Sequence, residues 1–260
     1  IESAPLCRVI CRTGIGLDNI AVTTATARGI PVTNVPDYCV AEVADHALAL
    51  LLAGARRIAF FHLRTKRAEY RLQAAPPPDR LAGKTLGLVG LGRIGSNLAV
   101  KARAFGISIV AHTPSGNDRG LGCPMVTLDE LLERSDYVSL HAPACDATRH
   151  LIRLPQLERM RPTAWLINTS RGALVCEVDL WIALQRNLLA GAALDVFDPE
   201  PPDLSRPLFR DERVIVTPHA AFVSPESLID LRRRVALQIL DALQGRRPEN
   251  VVNPLAYDPR

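Results

Sequence analysis

The run Thr85-Leu86-Gly87-Leu88-Val89-Gly90-Leu91-Gly92-Arg93-Ile94-Gly95 decides how the rest of the chain is read. An apolar stretch of strand type leads into G-x-G-x-x-G, and a helical pattern follows at once. A strand–turn–helix unit with this spacing holds a dinucleotide pyrophosphate. Gly90 allows the tight turn, Gly92 lets the backbone approach the phosphates, and Gly95 lets the helix pack close to the strand. The first N–H groups of that helix, from Arg93 and Ile94 onward, then face the anion. The bland alternative is a Gly-rich turn that binds nothing. The strand before it and the helix after it argue against that.

Downstream, apolar strands are expected at 107–112, 137–140, 164–168, 191–195 and 214–217, with a short one at Met125. Helices are expected at 97–105, 128–134, 154–160, 177–187 and 225–243. Alternating strands and helices with short links, and strands apolar along nearly their whole length, predict an α/β doubly wound parallel sheet of Rossmann type. Upstream, a strand at 7–11, a Gly-containing loop, a short helix at 23–28 and a strand at 30–34 form another α/β piece. A long helix is expected over 41–72, nearly all apolar from 47 to 55. Such a helix is buried on more than one side, in the core or in a dimer interface. Ala74-Ala75-Pro76-Pro77-Pro78 reads as a linker.

The chain has 260 residues, 48% of them hydrophobic, enough for one large or two small domains with real cores. The net charge of +4 is scattered, and its one basic run, Arg232-Arg233-Arg234, falls in a helical pattern as a solvated face. That excludes a nucleic-acid patch. Six cysteines without C-x-x-C spacing read as small buried thiols of a reducing cytosol, with no metal site. No apolar run is long enough to span a membrane. The expectation is a cytoplasmic protein without membrane or nucleic-acid partners.

In doubly wound sheets the ligand binds beyond the carboxyl ends of the strands. The polar residues at those ends are Thr113, His141-Ala142-Pro143, Asn168-Thr169-Ser170-Arg171-Gly172, Asp195 and Thr217-Pro218-His219. All fall on the edge that carries the Gly-rich turn. Three side chains suit carbonyl reduction. Arg171, in a loop of small residues, can grip a carboxylate bidentately. His219, between Pro218 and Ala220, suits an acid or base. Glu200, in Asp198-Pro199-Glu200-Pro201-Pro202, can hold the imidazole's other nitrogen and fix its tautomer.

On these residues the chain resembles the D-isomer-specific 2-hydroxyacid dehydrogenase family. The resemblance is carried by the run from Gly90 to Gly95, by Leu140-His141-Ala142-Pro143 and by Ile167-Asn168-Thr169-Ser170-Arg171-Gly172-Ala173-Leu174. It continues in Ala193-Leu194-Asp195-Val196-Phe197-Asp198-Pro199-Glu200-Pro201, in Thr217-Pro218-His219 and in the terminal Glu249-Asn250-Val251-Val252-Asn253-Pro254. It implies hydride transfer between a nicotinamide cofactor and a small 2-hydroxy or 2-oxo acid. Arg171 then binds the substrate carboxylate, His219 exchanges the proton, and Glu200 pairs with His219. The backbone of Ile15 and Gly16 is a further carboxylate ligand. Gly90, Gly92, Arg93, Ile94, Gly95, Thr113, His141, Pro143, Thr169, Ser170 and Asp195 line the cofactor, with Asp195 at the nicotinamide carboxamide. A homodimer through the cofactor domain is implied as well, consistent with the apolar helix after residue 41.

Two features depart from the family pattern. NAD-using members carry an acidic residue at the end of the second cofactor-domain strand, for the ribose hydroxyls. Here Thr113 stands there, and no Arg follows directly; Arg119 is several residues on. NAD is expected, with NADP possible. Family members also begin with a further α/β segment. The second, smaller domain is therefore expected as an N-terminally incomplete, flavodoxin-like α/β substrate domain. It is built from 1–36 and 223–260 around a dinucleotide-binding domain at 37–222. Either the sequence is part of a longer chain, favoured by its start at Ile1, or the protein is shortened. The rivals are a dinucleotide-sensing, corepressor-like scaffold and an inactive shortened paralogue. The set of Arg171, Glu200 and His219 favours an enzyme, since a sensor needs none of them.

Overall fold

The structure is a computed structural model and describes residues 1 and 3–256. Residues 257–260, which the expected substrate domain includes, lie outside the described residues. The chain forms two compact units, one of Ile1–Cys39 with Phe222–Arg260 and one of Val40–Ala221.

In the first unit, strand β1 (Ile10–Cys11), helix α1 (Val22–Ala27) and strand β2 (Val32–Thr33) follow one another. β1 and β2 pair in parallel, Ile10 opposite Val32 and Cys11 opposite Thr33. The strands are shorter than the apolar runs that foretold them, two residues each. The outer side of β2 is taken by the chain's last segment. Val252 N–H donates to the Val32 carbonyl at 2.9 Å, and Thr33 and Val251 form an antiparallel bridge.

In the second unit, helices α2 (Val40–Ala55) and α3 (Ile58–Lys66) precede strand β3 (Thr85–Val89), helix α4 (Arg93–Arg103), strand β4 (Ser108–His112) and helix α5 (Leu128–Arg134). Strand β5 (Tyr137–Leu140), helix α6 (Leu154–Leu157), strand β6 (Trp165–Asn168), helix α7 (Glu177–Gln185), strand β7 (Gly191–Leu194) and strand β8 (Val214–Val216) complete it. Helix α8 (Pro225–Leu243) returns the chain to the first unit. The six strands are all parallel in the order β4-β3-β5-β6-β7-β8. The strand expected at Met125 is a single parallel bridge to Ala111, outside β4. The chain leaves β3 to one side for β4 and returns on the other for β5. That reversal is the switch point where such sheets bind ligands.

The sheet is buried on both faces, and every residue of β5, β6 and β7 is buried. Leu86 and Leu88 of β3 point into the layer under α2 and α4. Val89 points into the opposite layer with Leu131, Leu132, Leu157, Leu180 and Leu184 from α5, α6 and α7. This two-sided burial is why the strands read as continuous apolar runs.

The helix expected over 41–72 is instead two helices bent by 63°, followed by a 3-10 turn at Leu72–Ala74. The cause is Trp165. A Cβ at Gly54 would stand 2.7 Å from its ring, so α2 presses directly on the indole there. Arg57 then adopts a left-handed backbone, φ 56°, and lays its guanidinium over the same ring at 5.4 Å. α3 has no buried residue and is tied down by Arg64 and Arg67, which reach Glu212 at 2.7 and 3.1 Å. The apolar run of α2 is buried within its own unit, from Val43 and Ala44 to Gly54 and Ala55. Ala41 and Ala49 on its other side are exposed, and Leu52 and Ala53 are half-buried. Among the described residues, no single helix is long and apolar enough to cross a membrane.

None of the six cysteines is in a disulfide. Cys39 and Cys123 are buried as expected, but Cys145 is exposed. Its thiol titrates below the ordinary range because the Thr148 hydroxyl and neighbouring backbone N–H groups favour the thiolate. No group of three or more potential metal ligands occurs among the described residues.

Candidate active site

The Gly-rich turn is built by close approach. Gly90 has φ 100°, and a Cβ on it would come within 2.7 Å of the His141 carbonyl. A Cβ on Gly95 would stand 2.4 Å from the Gly90 oxygen, so only glycine lets α4 start so near the strand. Gly92 differs from both, because a Cβ there would meet nothing within 4 Å. Its missing side chain leaves open the space in front of the α4 N-terminus. No side chain caps that terminus, its first turn holds no acid, and Arg93 opens it. An uncapped, cationic N-terminus of an 11-residue helix fits a pyrophosphate. Thr169 fits as well: its hydroxyl oxygen is buried and has no hydrogen-bond partner. The residues present therefore fit a dinucleotide.

Thr113 follows β4 directly, the position where the sequence reading expects the adenosine ribose. Its hydroxyl lies 3.2 Å from Ser115 Oγ, so two hydroxyls and no carboxylate stand there. Arg119 sits in a left-handed turn, φ 57°, closed onto Asn117 Oδ1 by its own N–H at 2.8 Å. His141 Nε2 lies 2.9 Å from Ser139 Oγ, and burial lowers the pKa of the ring to about 4. The imidazole is thus neutral across the physiological range.

The loop after β6 is organised by Asn168, which is buried. Its Nδ2 donates to the Arg171 carbonyl at 2.9 Å, and its Oδ1 accepts the Ser170 N–H at 3.0 Å. Ser170 Oγ donates to the Ala142 carbonyl, 2.6 Å away. Arg171 Nη1 donates to the Ser170 carbonyl at 2.7 Å, which folds the guanidinium back along its own loop. Gly172 comes next, and a Cβ there would lie 1.9 Å from the Phe197 carbonyl carbon. The Arg171 loop and the segment leading to Glu200 are in direct backbone contact at that point.

Glu200 and His219 are brought together: His219 Nδ1 lies 2.7 Å from Glu200 Oε2. The other carboxylate oxygen, Oε1, accepts the Phe197 N–H at 2.9 Å, which fixes the orientation of the acid. The same segment is braced by Glu177, which accepts from Asp198 N–H at 3.3 Å and from Arg206 Nη1 at 2.6 Å. Asp195 is completely buried. Its oxygens accept N–H groups of Ala220 at 2.8 Å and Ala221 at 3.0 Å, and the Thr217 hydroxyl. Much of its hydrogen-bonding capacity thus goes into holding the loop that carries His219.

Ile15 and Gly16 lie in the first unit, in the loop between β1 and α1. Asn34 Nδ2 donates to the Ile15 carbonyl at 2.8 Å, and Val35 N–H to Gly14 at 3.1 Å. Carbonyls of this loop are thereby turned toward β2. Four residues that organise the second unit's site escaped the sequence reading as site residues: His46, Asn168, Gly172 and Glu177. Gly172 and Asn168 stood in the quoted loop and carried a signal, a glycine and an amide flanking Arg171. A buried Glu at a helix start and a His in an apolar helix carried none.

Residues 48–221 match the family described as D-isomer specific 2-hydroxyacid dehydrogenase, NAD binding domain. A glyoxylate reductase of Korarchaeum cryptofilum is 40% identical over 97% of this chain and 78% of its own length. A D-3-phosphoglycerate dehydrogenase of Methanocaldococcus jannaschii is 39% identical over 97% of this chain and 49% of its own. Among solved structures, the NADPH-dependent glyoxylate/hydroxypyruvate reductase of Sinorhizobium meliloti, in complex with NADP and malonate, aligns with a TM-score of 0.89. It is 33% identical over 98% of this chain and 81% of its own. With the parallel sheet, the glycine cradle and these relatives in place, the chain belongs to the D-isomer specific 2-hydroxyacid dehydrogenases, which are NAD(P)-dependent oxidoreductases.

Proposed function

We propose that this dehydrogenase reduces a small 2-oxo acid of the glyoxylate or hydroxypyruvate class to the D-2-hydroxy acid, and catalyses the reverse oxidation. The observation that carries the reading is the 2.7 Å contact between His219 Nδ1 and Glu200 Oε2. It stands on the strand-end edge where the Gly-rich turn and the Arg171 loop also end. A carboxylate accepts hydrogen bonds only, so Nδ1 carries a hydrogen, and the proton exchanged with substrate is the one on Nε2. His219 gives that proton to the carbonyl oxygen during reduction and takes it back during oxidation. Glu200, held by Phe197 N–H, stabilises the charged ring. Arg171 grips the substrate carboxylate with its guanidinium fork. The nicotinamide cofactor, when bound, supplies or receives the hydride. The α4 N-terminus from Gly92 to Gly95 holds its pyrophosphate, while His141, Pro143, Thr169, Ser170 and Asp195 line its remaining length.

NAD is the expected cofactor, and NADP is admitted because Thr113 and Ser115 present hydroxyls where a carboxylate would repel a 2′-phosphate. The cofactor domain of this reading spans 37–222 and the flavodoxin-like substrate domain 1–36 and 223–260. The compact units Val40–Ala221 and Ile1–Cys39 with Phe222–Arg260 support that division. A homodimer through the cofactor domain belongs to the same reading. The apolar surface left for it in that unit includes Ile58, Leu63 and Tyr70, all exposed. Six cysteines, none of them in a disulfide, support a reducing, cytoplasmic location.

The test is turnover of glyoxylate and hydroxypyruvate with NADH and NADPH. His219→Ala lowers kcat by about 10²- to 10⁴-fold, the range of a general acid, and leaves NADH affinity by fluorescence titration within about two-fold. Unchanged turnover in that variant overturns the reading.

A further inference from the structure

His219 stands in an unfavourable backbone conformation, φ 52°, which a non-glycine residue keeps only where its surroundings impose it. Asp195 supplies a large part of those surroundings, beside the Glu200 carboxylate at the ring and the Thr217 carbonyl, 3.0 Å from the His219 nitrogen. The Asp195 main-chain carbonyl accepts the His219 N–H at 2.8 Å. Its carboxylate accepts the N–H groups of Ala220 and Ala221 and the Thr217 hydroxyl. A carboxylate is an acceptor only, and a hydroxyl has one hydrogen to donate. Thr217 directs that hydrogen to Asp195, so toward any other partner its oxygen accepts.

The partner is His46 of α2. Its Nε2 lies 3.0 Å from Thr217 Oγ1 and 3.6 Å from Asp195 Oδ1. The ring therefore carries a hydrogen on Nε2 and donates it to the hydroxyl. The chain of donors runs from His46 to Thr217 to Asp195, and Asp195 holds both flanks of His219. All four residues belong to the unit Val40–Ala221.

We propose that His46 is a positioning residue for His219: by donating to Thr217 it fixes the direction of that hydroxyl and, through Asp195, the left-handed loop that presents the imidazole. The inference rests on the reading of His219 as the proton donor. It also explains a histidine at the head of the apolar run of α2, where packing alone asks for none.

The experiment compares His46 variants, alone and in a Thr217→Val background, with wild type in the full chain, using glyoxylate and NADH. His46→Ala lowers kcat about ten-fold or more, since small displacements of an acid are felt strongly, while KM for the 2-oxo acid and NADH affinity stay within about two-fold. His46→Gln, whose Nε2 can donate to the same hydroxyl, returns kcat to within about three-fold of wild type. His46→Asn, whose amide is one methylene shorter, does not. Removing His46 in a Thr217→Val background causes no further loss, because the two act in series. An unchanged kcat in His46→Ala overturns the inference. So does equal activity of the Gln and Asn variants, or a full additional loss in the Thr217→Val background. Should His46→Ala fail to fold, the Gln–Asn pair decides. If His219→Ala retains turnover, the underlying reading fails; if it loses turnover while His46→Ala keeps kcat, this inference alone fails.

Discussion

The six-stranded sheet of Val40–Ala221 is held by two thick apolar layers, one on each face. The unit of Ile1–Cys39 and Phe222–Arg260 centres on a cluster with only three buried apolar residues, Ala25, Ile30 and Val32. Polar side chains do much of the holding there. Asn253 Oδ1 accepts the Val32 N–H at 2.7 Å, while its Nδ2 donates to the Ile30 carbonyl and to Thr26 Oγ1, both at 3.0 Å. Gln238 donates to the Asn34 carbonyl at 3.1 Å and accepts the Asn250 N–H at 3.0 Å. The difference is one of mechanism. Apolar burial is non-directional and grows with area, so it tolerates local change. A buried amide is directional, and losing it leaves several groups unsatisfied at once.

The largest effect is expected where the apolar unit is least tolerant, at backbone contact. Gly172→Ala places a methyl 1.9 Å from the Phe197 carbonyl carbon, where no rotamer can relieve it. The two loops must part, at a cost of about 3 kcal/mol in denaturant unfolding. Glu200 moves with Phe197, so kcat falls together with stability. If both survive, the loop contact is not what sets the Glu200–His219 geometry.

Asn253→Ala is the matching break in the polar unit. It strips partners from the Val32 N–H, the Ile30 carbonyl and the Thr26 hydroxyl, a loss of about 2 kcal/mol. The sharper readout is amide hydrogen exchange. Protection is expected to fall at residues 10–33 and 250–253 while the amides of β3 to β8 keep theirs. Equal loss in both sets would mean that the two interiors do not differ in the way described.

The same difference governs what was legible in the sequence. Leu128–Arg134, Tyr137–Leu140 and Pro225–Leu243 begin and end where their apolar pattern does. Their pattern is local, and Thr127 and Ser224 cap the two helices with side chains visible in the sequence. The strand ends follow from the same logic, which singles out Arg171 and His219, whereas Glu200 is read from the Pro-rich segment beyond Asp195 as a partner for the imidazole. The bend after α2 was not legible, because it depends on Trp165, more than a hundred residues away. The strands expected at 7–11 and 30–34 are two residues long, and the partners of Val32 outside β1, Asn253 and Val252, are more than two hundred residues away, where no periodicity marks them. His46 escaped for that reason too: its partners, Thr217 and Asp195, come from the far end of the sheet.

Acid provides the smallest and most selective test. The buried polar groups of the first unit, Thr33, Asn34, Ser227, Gln238 and Asn253, do not titrate. The second unit holds His141, whose pKa burial lowers from 6.5 to about 4. The unfolded chain takes up that proton below pH 6.5, whereas the folded ring stays neutral down to about 4. The stability contributed by the neutral ring is therefore complete above pH 6.5 and is lost as pH falls through that window. The slope is close to one proton, about 1 kcal/mol between pH 6 and pH 5. His141→Gln cannot titrate and can still hydrogen-bond to Ser139, so its stability should fall less steeply over this interval by about that amount. Parallel curves would place the acid sensitivity elsewhere. A flattened curve would locate it under the Gly-rich turn, where the Gly90 backbone and His141 meet with no room for a Cβ.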